Sequence, residues 1–321
     1  LFGVKKADAI LQKLIDDKKI PGLAITVSKE NKICFQKGYG YAAIEKQLLI
    51  NPRKTVFRIA SVSKPIAATA LAHMVADRQI DLDTSFYRYV PYYPKKKWDF
   101  TIRQLASHTA GIRSYKGIEY GLNKPYTIKE GITVFKEDEL LFKPGTAYHY
   151  NSFDWVLISL AIQEVCGMPF EAYVQQKVLS PLGMKNTTPE FVNNNTYAKF
   201  YSRNRLGFRE AIPVNNFYKL AGGGYMSTTE DVIKLGQAYL NKEILNDEVI
   251  NPFITSEMID GVSNYYGLGW QVSTDKKGNS YYSNFYIYPK KQLIISILVN
   301  CTNPNIQDKL DEVIAIFTSE E

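Results

Sequence analysis

The chain has 321 residues, 45% of them hydrophobic, and a formal net charge of +7. That is ample for a large core, in one domain or two lobes, and no apolar run approaches the roughly 18 residues that cross a bilayer. The basic residues are scattered apart from Lys95-Lys96-Lys97, which reads as a solvated loop, and no arginine-rich helix or aromatic platform argues for nucleic acid.

Residues 5–18 carry a helical stripe of Ala7, Ile10, Leu11, Leu14 and Ile15, broken at Ile20-Pro21-Gly22. No signal peptide is evident. The first residue is Leu1 rather than Met, which leaves room for a leader removed upstream. Leu23–Ser28 and Ile33–Tyr39 predict two strands around the polar turn Lys29-Glu30-Asn31.

Next comes Phe57-Arg58-Ile59-Ala60-Ser61-Val62-Ser63-Lys64-Pro65. It predicts a short extended lead-in, then a helix whose first turn tolerates Pro65. The apolar run Ile66, Ala67, Ala70, Leu71, Met74 and Val75 makes that helix a buried one. Residues three apart share a helix face, so the Ser61 hydroxyl and the Lys64 amine can meet. Serine is a poor nucleophile until a base takes its proton, and lysine is such a base only when neutral. The helix N-terminus and burial both disfavour the ammonium there. The pattern Ser-x-x-Lys recurs at Ser273-Thr274-Asp275-Lys276, but that copy runs into Lys277-Gly278-Asn279 and reads as a solvated turn.

Residues 61–220 predict mostly helix and loop, with a capped helix from Thr101, a turn at Phe142–Thr146, a helix after Ser152 and another from Phe170 to Leu179. Leu220-Ala221-Gly222-Gly223-Gly224 is a loop where backbone must pass close to something. Ser227-Thr228-Thr229-Glu230 predicts a capping box opening a helix through Leu240. Tyr265–Val272, Tyr281–Tyr288 and Leu293–Asn300 predict strands, and 305–318 a last helix. Strands at both ends and helices between predict one sheet made from both termini, with a cleft beside a helical lobe. The chain is expected to form one domain, its sheet lobe from 1–60 and 221–321 and its helical lobe from 61–220. Cys34, Cys166 and Cys301 form no disulfide framework or zinc pattern. With only His73, His108 and His149, a metal cluster is not expected; a Ser-His-Asp triad is open on count, without a G-x-S-x-G elbow to support it.

Phe57–Lys64, Thr101–Ile112, Phe142–Ser152, Pro181–Thr187, Gly222–Thr228 and Tyr266–Trp270 together resemble, in order, the serine β-lactamase and penicillin-binding-protein family on its class C-like branch. Gly111–Tyr115, Leu140–Thr146 and Tyr218–Thr228 are similar to its animal mitochondrial subgroup and bacterial relatives. The resemblance implies an α/β fold of the α+β type, β-lactamase/transpeptidase-like, with an antiparallel sheet flanked by helices. It implies Ser61 as nucleophile, Lys64 as base and Tyr150 as proton shuttle. Ser152 takes the family's asparagine position, where it would hold Lys64 or substrate; Asn151 and Gly223 are further support positions. No cofactor or metal is implied. The partner is a small-molecule or peptide substrate (a peptide amide, a β-lactam or an ester), and the setting a bacterial periplasm or cell envelope before a mitochondrion.

The third family motif, Lys-Thr-Gly or His-Thr-Gly on a strand lining the cleft, is not found; Lys276-Lys277-Gly278 imitates it in a turn. The flanks match, so a short segment is wanting between Ser283 and Asn284. With every other feature retained, the expectation is that residues are missing from the sequence rather than from the protein. A genuine deletion would remove an oxyanion-side strand, and one lost oxyanion donor costs about 2.7–4 kcal/mol. It would favour a catalytically impaired binding or assembly module.

Overall fold

The computed structural model describes residues 2–190, 197–283 and 285–319. Helix α1 (Phe2–Asp16) buries Ala7, Leu11 and Leu14 on one face. Strands β1 (Gly22–Lys29) and β2 (Lys32–Ala43) are joined across Glu30-Asn31, both at positive φ, the geometry that suits the twist of a two-residue hairpin. Strands β3 (Leu48–Leu49) and β4 (Phe57–Arg58) precede a 3₁₀ turn, Ala60–Val62, that runs directly into α2 (Ser63–Ala76).

Helix α3 (Ile102–Ala106) starts at a Thr101–Gln104 capping box. Helix α4 (Ile128–Gly131) is one turn, α5 (Phe153–Cys166) ends at left-handed Gly167, and α6 (Phe170–Val174) continues as a wide turn to Leu179. Strands β5 (Thr188–Pro189), β6 (Tyr201–Asn204) and β7 (Gly207–Glu210) follow. They interrupt a block expected to be mostly helix and loop: their short, polar runs carry no clear alternation.

After β8 (Tyr225–Ser227) comes α7 (Thr229–Leu240). Its cap is Thr228, whose hydroxyl accepts from the Asp231 N–H, and not the expected Ser227, whose hydroxyl bonds Thr187 instead. Helix α8 (Asp247–Ile254) and the small hairpin β9 (Met258–Ile259)–β10 (Val262–Ser263) lead to β11 (Gln271–Thr274). The strand expected from Tyr265 begins only at Gln271, because Tyr265 and Gly269 hold positive φ and make 265–270 a loop. The strand expected at 281–288 is two, β12 (Ser280–Ser283) and β13 (Tyr286–Tyr288), paired antiparallel. The junction between Ser283 and Asn284, where a segment was expected, falls at a residue outside those described. Strand β14 (Leu293–Val299) and α9 (Gln307–Ser319) complete the chain.

The main sheet runs β11-β12-β13-β14-β1-β2-β3, its pairs antiparallel, with both ends of the chain meeting where Leu23 faces Val299 and Lys29 faces Leu293. Strand β1 is buried on both faces, and its side chains alternate between two layers. Leu23, Ile25 and Val27 meet α1 and α9, while Ala24 joins the larger core around α2 and α5. A separate ladder β4-β8-β5 pairs Phe57 with Ser227 and Arg58 with Met226, and its Phe57 and Tyr225 belong to that larger core.

Candidate active site

The 3₁₀ turn that carries Ser61 begins at Ala60, whose φ of +45° is a backbone that L-residues rarely adopt. The turn is fixed from outside: Ile59 N–H donates to the Tyr225 carbonyl, and Tyr225 N–H donates to the Ser63 hydroxyl. Ser61 is half-buried, whereas Lys64, one turn on, is fully buried. Lys64 Nζ donates to Ser61 Oγ at 3.3 Å and to the Gly222 carbonyl at 2.8 Å. The Tyr150 hydroxyl bonds the same Ser61 Oγ at 2.8 Å, and Lys64 Nζ lies 4.6 Å from the centre of the Tyr150 ring. Two residues from separate segments, Lys64 and Tyr150, therefore converge on the Ser61 oxygen.

The glycine turn explains why the carbonyl can reach. A Cβ on Gly222 would come within 2.9 Å of the Ser152 carbonyl, and one on Gly224 within 2.5 Å of the Asn216 carbonyl. At Gly223, the position singled out from sequence, a Cβ would meet Ala60 only at an ordinary 3.8 Å, and its φ of 178° is extended. The close approach thus belongs to the flanking glycines.

Ser152 and Asn151 differ from expectation. Lys64 Nζ is bonded to the Ser61 hydroxyl and to the Gly222 backbone carbonyl rather than to Ser152. Burial leads the shift that pushes the Tyr115 phenol up to about 12. Asn151 is buried and turned from Ser61: its amide N–H groups go to the carbonyls of Ile112 and His149 and to Asp154 Oδ2 at 2.7 Å, and its Oδ1 accepts the Asp154 N–H. It secures the start of α5 rather than facing a substrate.

Two side chains behind Tyr150 were not singled out. His108 Nδ1 lies 2.8 Å from Asp154 Oδ2, and neither side chain is exposed at all. Burial pushes the His108 imidazole well below its ordinary range, with Lys64 and His149 adding to the effect. Burial likewise pushes the Asp154 carboxyl well above its ordinary range, so both directions favour the neutral forms. The signal available was Ser107-His108-Thr109-Ala110-Gly111 inside an otherwise apolar segment, but spacing alone does not pair it with Asp154, 46 positions on. A lysine was also missed. Lys219 is buried among the rings of Tyr115, Tyr120 and Tyr218, and burial lowers it to about 8. Among the described residues, no group of three or more His, Cys, Asp or Glu is placed to hold a metal ion, and no single helix is long and apolar enough to cross a membrane.

Comparison with known proteins identifies relatives of the whole fold. The human serine beta-lactamase-like protein LACTB, mitochondrial, is 27% identical over 311 residues, covering 74% of this chain and 56% of that protein. Protein flp of Staphylococcus aureus strain MW2 is 26% identical over 315 residues, covering 92% of this chain and 63% of that protein. The chain thus spans little more than half the length of these relatives. Among solved structures, the D-amino acid amidase of Ochrobactrum anthropi SV3 superposes with a TM-score of 0.83 at 18% identity, over 98% of each chain, which shows a shared fold. The beta-lactamase family model matches residues 7–317, and the chain belongs to the beta-lactamase family.

Proposed function

We propose that this protein is a serine acyl-hydrolase that works through an acyl-enzyme on Ser61. The observation that carries the reading is the convergence of Lys64 Nζ and the Tyr150 hydroxyl on Ser61 Oγ. Ser61 Oγ attacks a substrate carbonyl carbon while Lys64 Nζ takes its proton. Tyr150 gives its hydroxyl proton to the leaving group as the leaving bond breaks, and the proton that Lys64 took from Ser61 passes to the Tyr150 oxygen. The Ser61 backbone N–H, at the head of α2, is assigned as an oxyanion donor. Water then enters by the same route in reverse and frees the acid. The substrate class is a peptide amide in preference to a β-lactam or simple ester, on the strength of the penicillin-binding resemblance. A bacterial envelope setting belongs to the same proposal, and fractionation of the producing cells checks it: recovery wholly from cytosol sinks it.

Intact-mass spectrometry tests the chemistry. The protein is incubated with a penicillin, an activated ester and a D-alanyl peptide amide, beside Ser61→Ala. One covalent adduct or turnover that disappears in Ser61→Ala is expected, with a loss of at least about 10³-fold. Turnover surviving the substitution sinks the assignment. The sequence after Trp270 contains neither Lys-Thr-Gly nor His-Thr-Gly, which favours the second reading, a binding or assembly module. A folded protein that is inert to all three reagents would establish that reading instead.

A further inference from the structure

Tyr150 sits on an irregular segment and is 39% exposed, yet its hydroxyl must stay within hydrogen-bond reach of Ser61 Oγ. A side chain so exposed needs something behind it to hold one ring orientation, since misplacement by about 1 Å can cost about 10²-fold in rate. The His108 ring fills that role, with its centre 4.6 Å from the Tyr150 ring and tilted by 52°. Tyr266 closes the same side at 5.9 Å from Tyr150 and 4.8 Å from His108.

His108 is itself held at several points. Its Nδ1 bonds Asp154 on the first turn of α5. Its carbonyl accepts the N–H of His149, the residue just before Tyr150. Asn151, the residue just after, ties Asp154 Oδ2 to the carbonyls of His149 and Ile112. The backbone at His108 has φ +61°, rare for a non-glycine residue and found where structure over-determines a strained position. The pair also leaves His108 Nε2 and Asp154 Oδ1 buried without a protein partner. Burying polar atoms so is unfavourable, and an apolar pair would fill the space without that penalty. Packing alone therefore does not account for these two residues.

We propose that His108, locked by Asp154, is the positioning residue that fixes the Tyr150 hydroxyl on Ser61. The proposal rests on the reading of Ser61 as nucleophile. No proton passes between His108 and Tyr150; the imidazole acts as a backing plate, and Asp154 sets its plane.

The test is a double-mutant cycle on the acylation step, with the substrate or penicillin that labels the wild-type protein. His108→Asn suits it, because asparagine tolerates positive φ and keeps an N–H for Asp154 while removing the ring. Folding is checked by circular dichroism. His108→Asn is expected to slow acylation by about 10–100-fold with KM within about threefold. In a Tyr150→Phe background the same substitution is expected to change the rate by less than about threefold, because the hydroxyl it positions is gone. Should His108→Asn not fold, Asp154→Leu and Asp154→Asn replace it. The leucine variant is expected to lose as much as His108→Asn, and the asparagine variant, which retains an acceptor for Nδ1–H, to recover most of the rate. A loss that persists undiminished in Tyr150→Phe, or equal losses in the two Asp154 variants, overturns the proposal while leaving Ser61 as nucleophile. A wild-type protein that no reagent labels overturns the reading of function and this inference with it.

Discussion

The two faces of the main sheet are built on different terms. The face under α1 and α9 is apolar throughout its centre, where Ala7, Leu11, Leu14, Leu23, Ile25, Val27, Ile295, Val313 and Phe317 belong to one buried cluster. The face toward α2, α5 and α7 is larger, and polar groups are buried in it: Thr26 on Thr229, Ser28 on Gln237, and beyond them Lys64, His108, Asn151 and Asp154. The same strands supply both, since alternate residues of β1 and β14 point to opposite sides. The difference shows where stability is made and where it is spent. Both faces hold the fold by apolar burial, and the larger one gives up part of that gain to keep polar groups dry.

That contrast can be broken or sharpened. Leu11→Ala on the apolar face is expected to destabilise by about 2–5 kcal/mol in urea unfolding, with acylation per folded molecule unchanged. A fall in activity at full folding would show that the faces are not independent. Lys219→Met probes the other face. The Lys219 pKa falls from 10.5 to about 8 in the folded state, so between those values the unfolded chain binds the proton more tightly. Wild-type stability should therefore rise relative to Lys219→Met as pH goes from 7 to 10, by up to about 3 kcal/mol. Comparing the two proteins cancels the tyrosines, whose titration acts in the opposite direction. A pH-independent difference would mean that the tyrosine cage fully replaces the lost hydration. Gly222→Ala is expected to destabilise by about 1–3 kcal/mol, since its Cβ would press on the Ser152 carbonyl, and to slow acylation as the carbonyl bonded to Lys64 shifts. Unchanged kinetics would remove that carbonyl from the catalytic arrangement.

Much of this was readable in the sequence. The α1 stripe, the buried α2 and the strands at both ends follow from periodicity and turn residues, and these positioned Ser61 and Lys64 on one turn. The resemblance supplied Tyr150, which no local pattern marks. What escaped depended on long-range contact. Lys64 finds its second acceptor at the Gly222 carbonyl rather than at Ser152, and Asn151 is drawn to Ile112 and Asp154, by partners that spacing does not reveal. Of three adjacent glycines, the two under steric demand are identifiable only once Ser152 and Asn216 are packed against them. The short strands β5, β6 and β7 are too brief and too polar for alternation to signal them.

The ladder β4-β8-β5 has a consequence for the life of the chain. It clasps the lead-in to Ser61 against the exit of the glycine turn, and through that clasp Lys64 reaches a carbonyl 158 positions further along. Tyr150 arrives from 89 positions away. Contacts so distant in sequence form late, after the long intervening loop has been closed. A nascent chain on the ribosome, or a fragment cut between Tyr150 and Gly222, carries the serine but not its full setting. On the proposed reading, Ser61 meets both Lys64 and Tyr150 in their final setting only in a finished molecule.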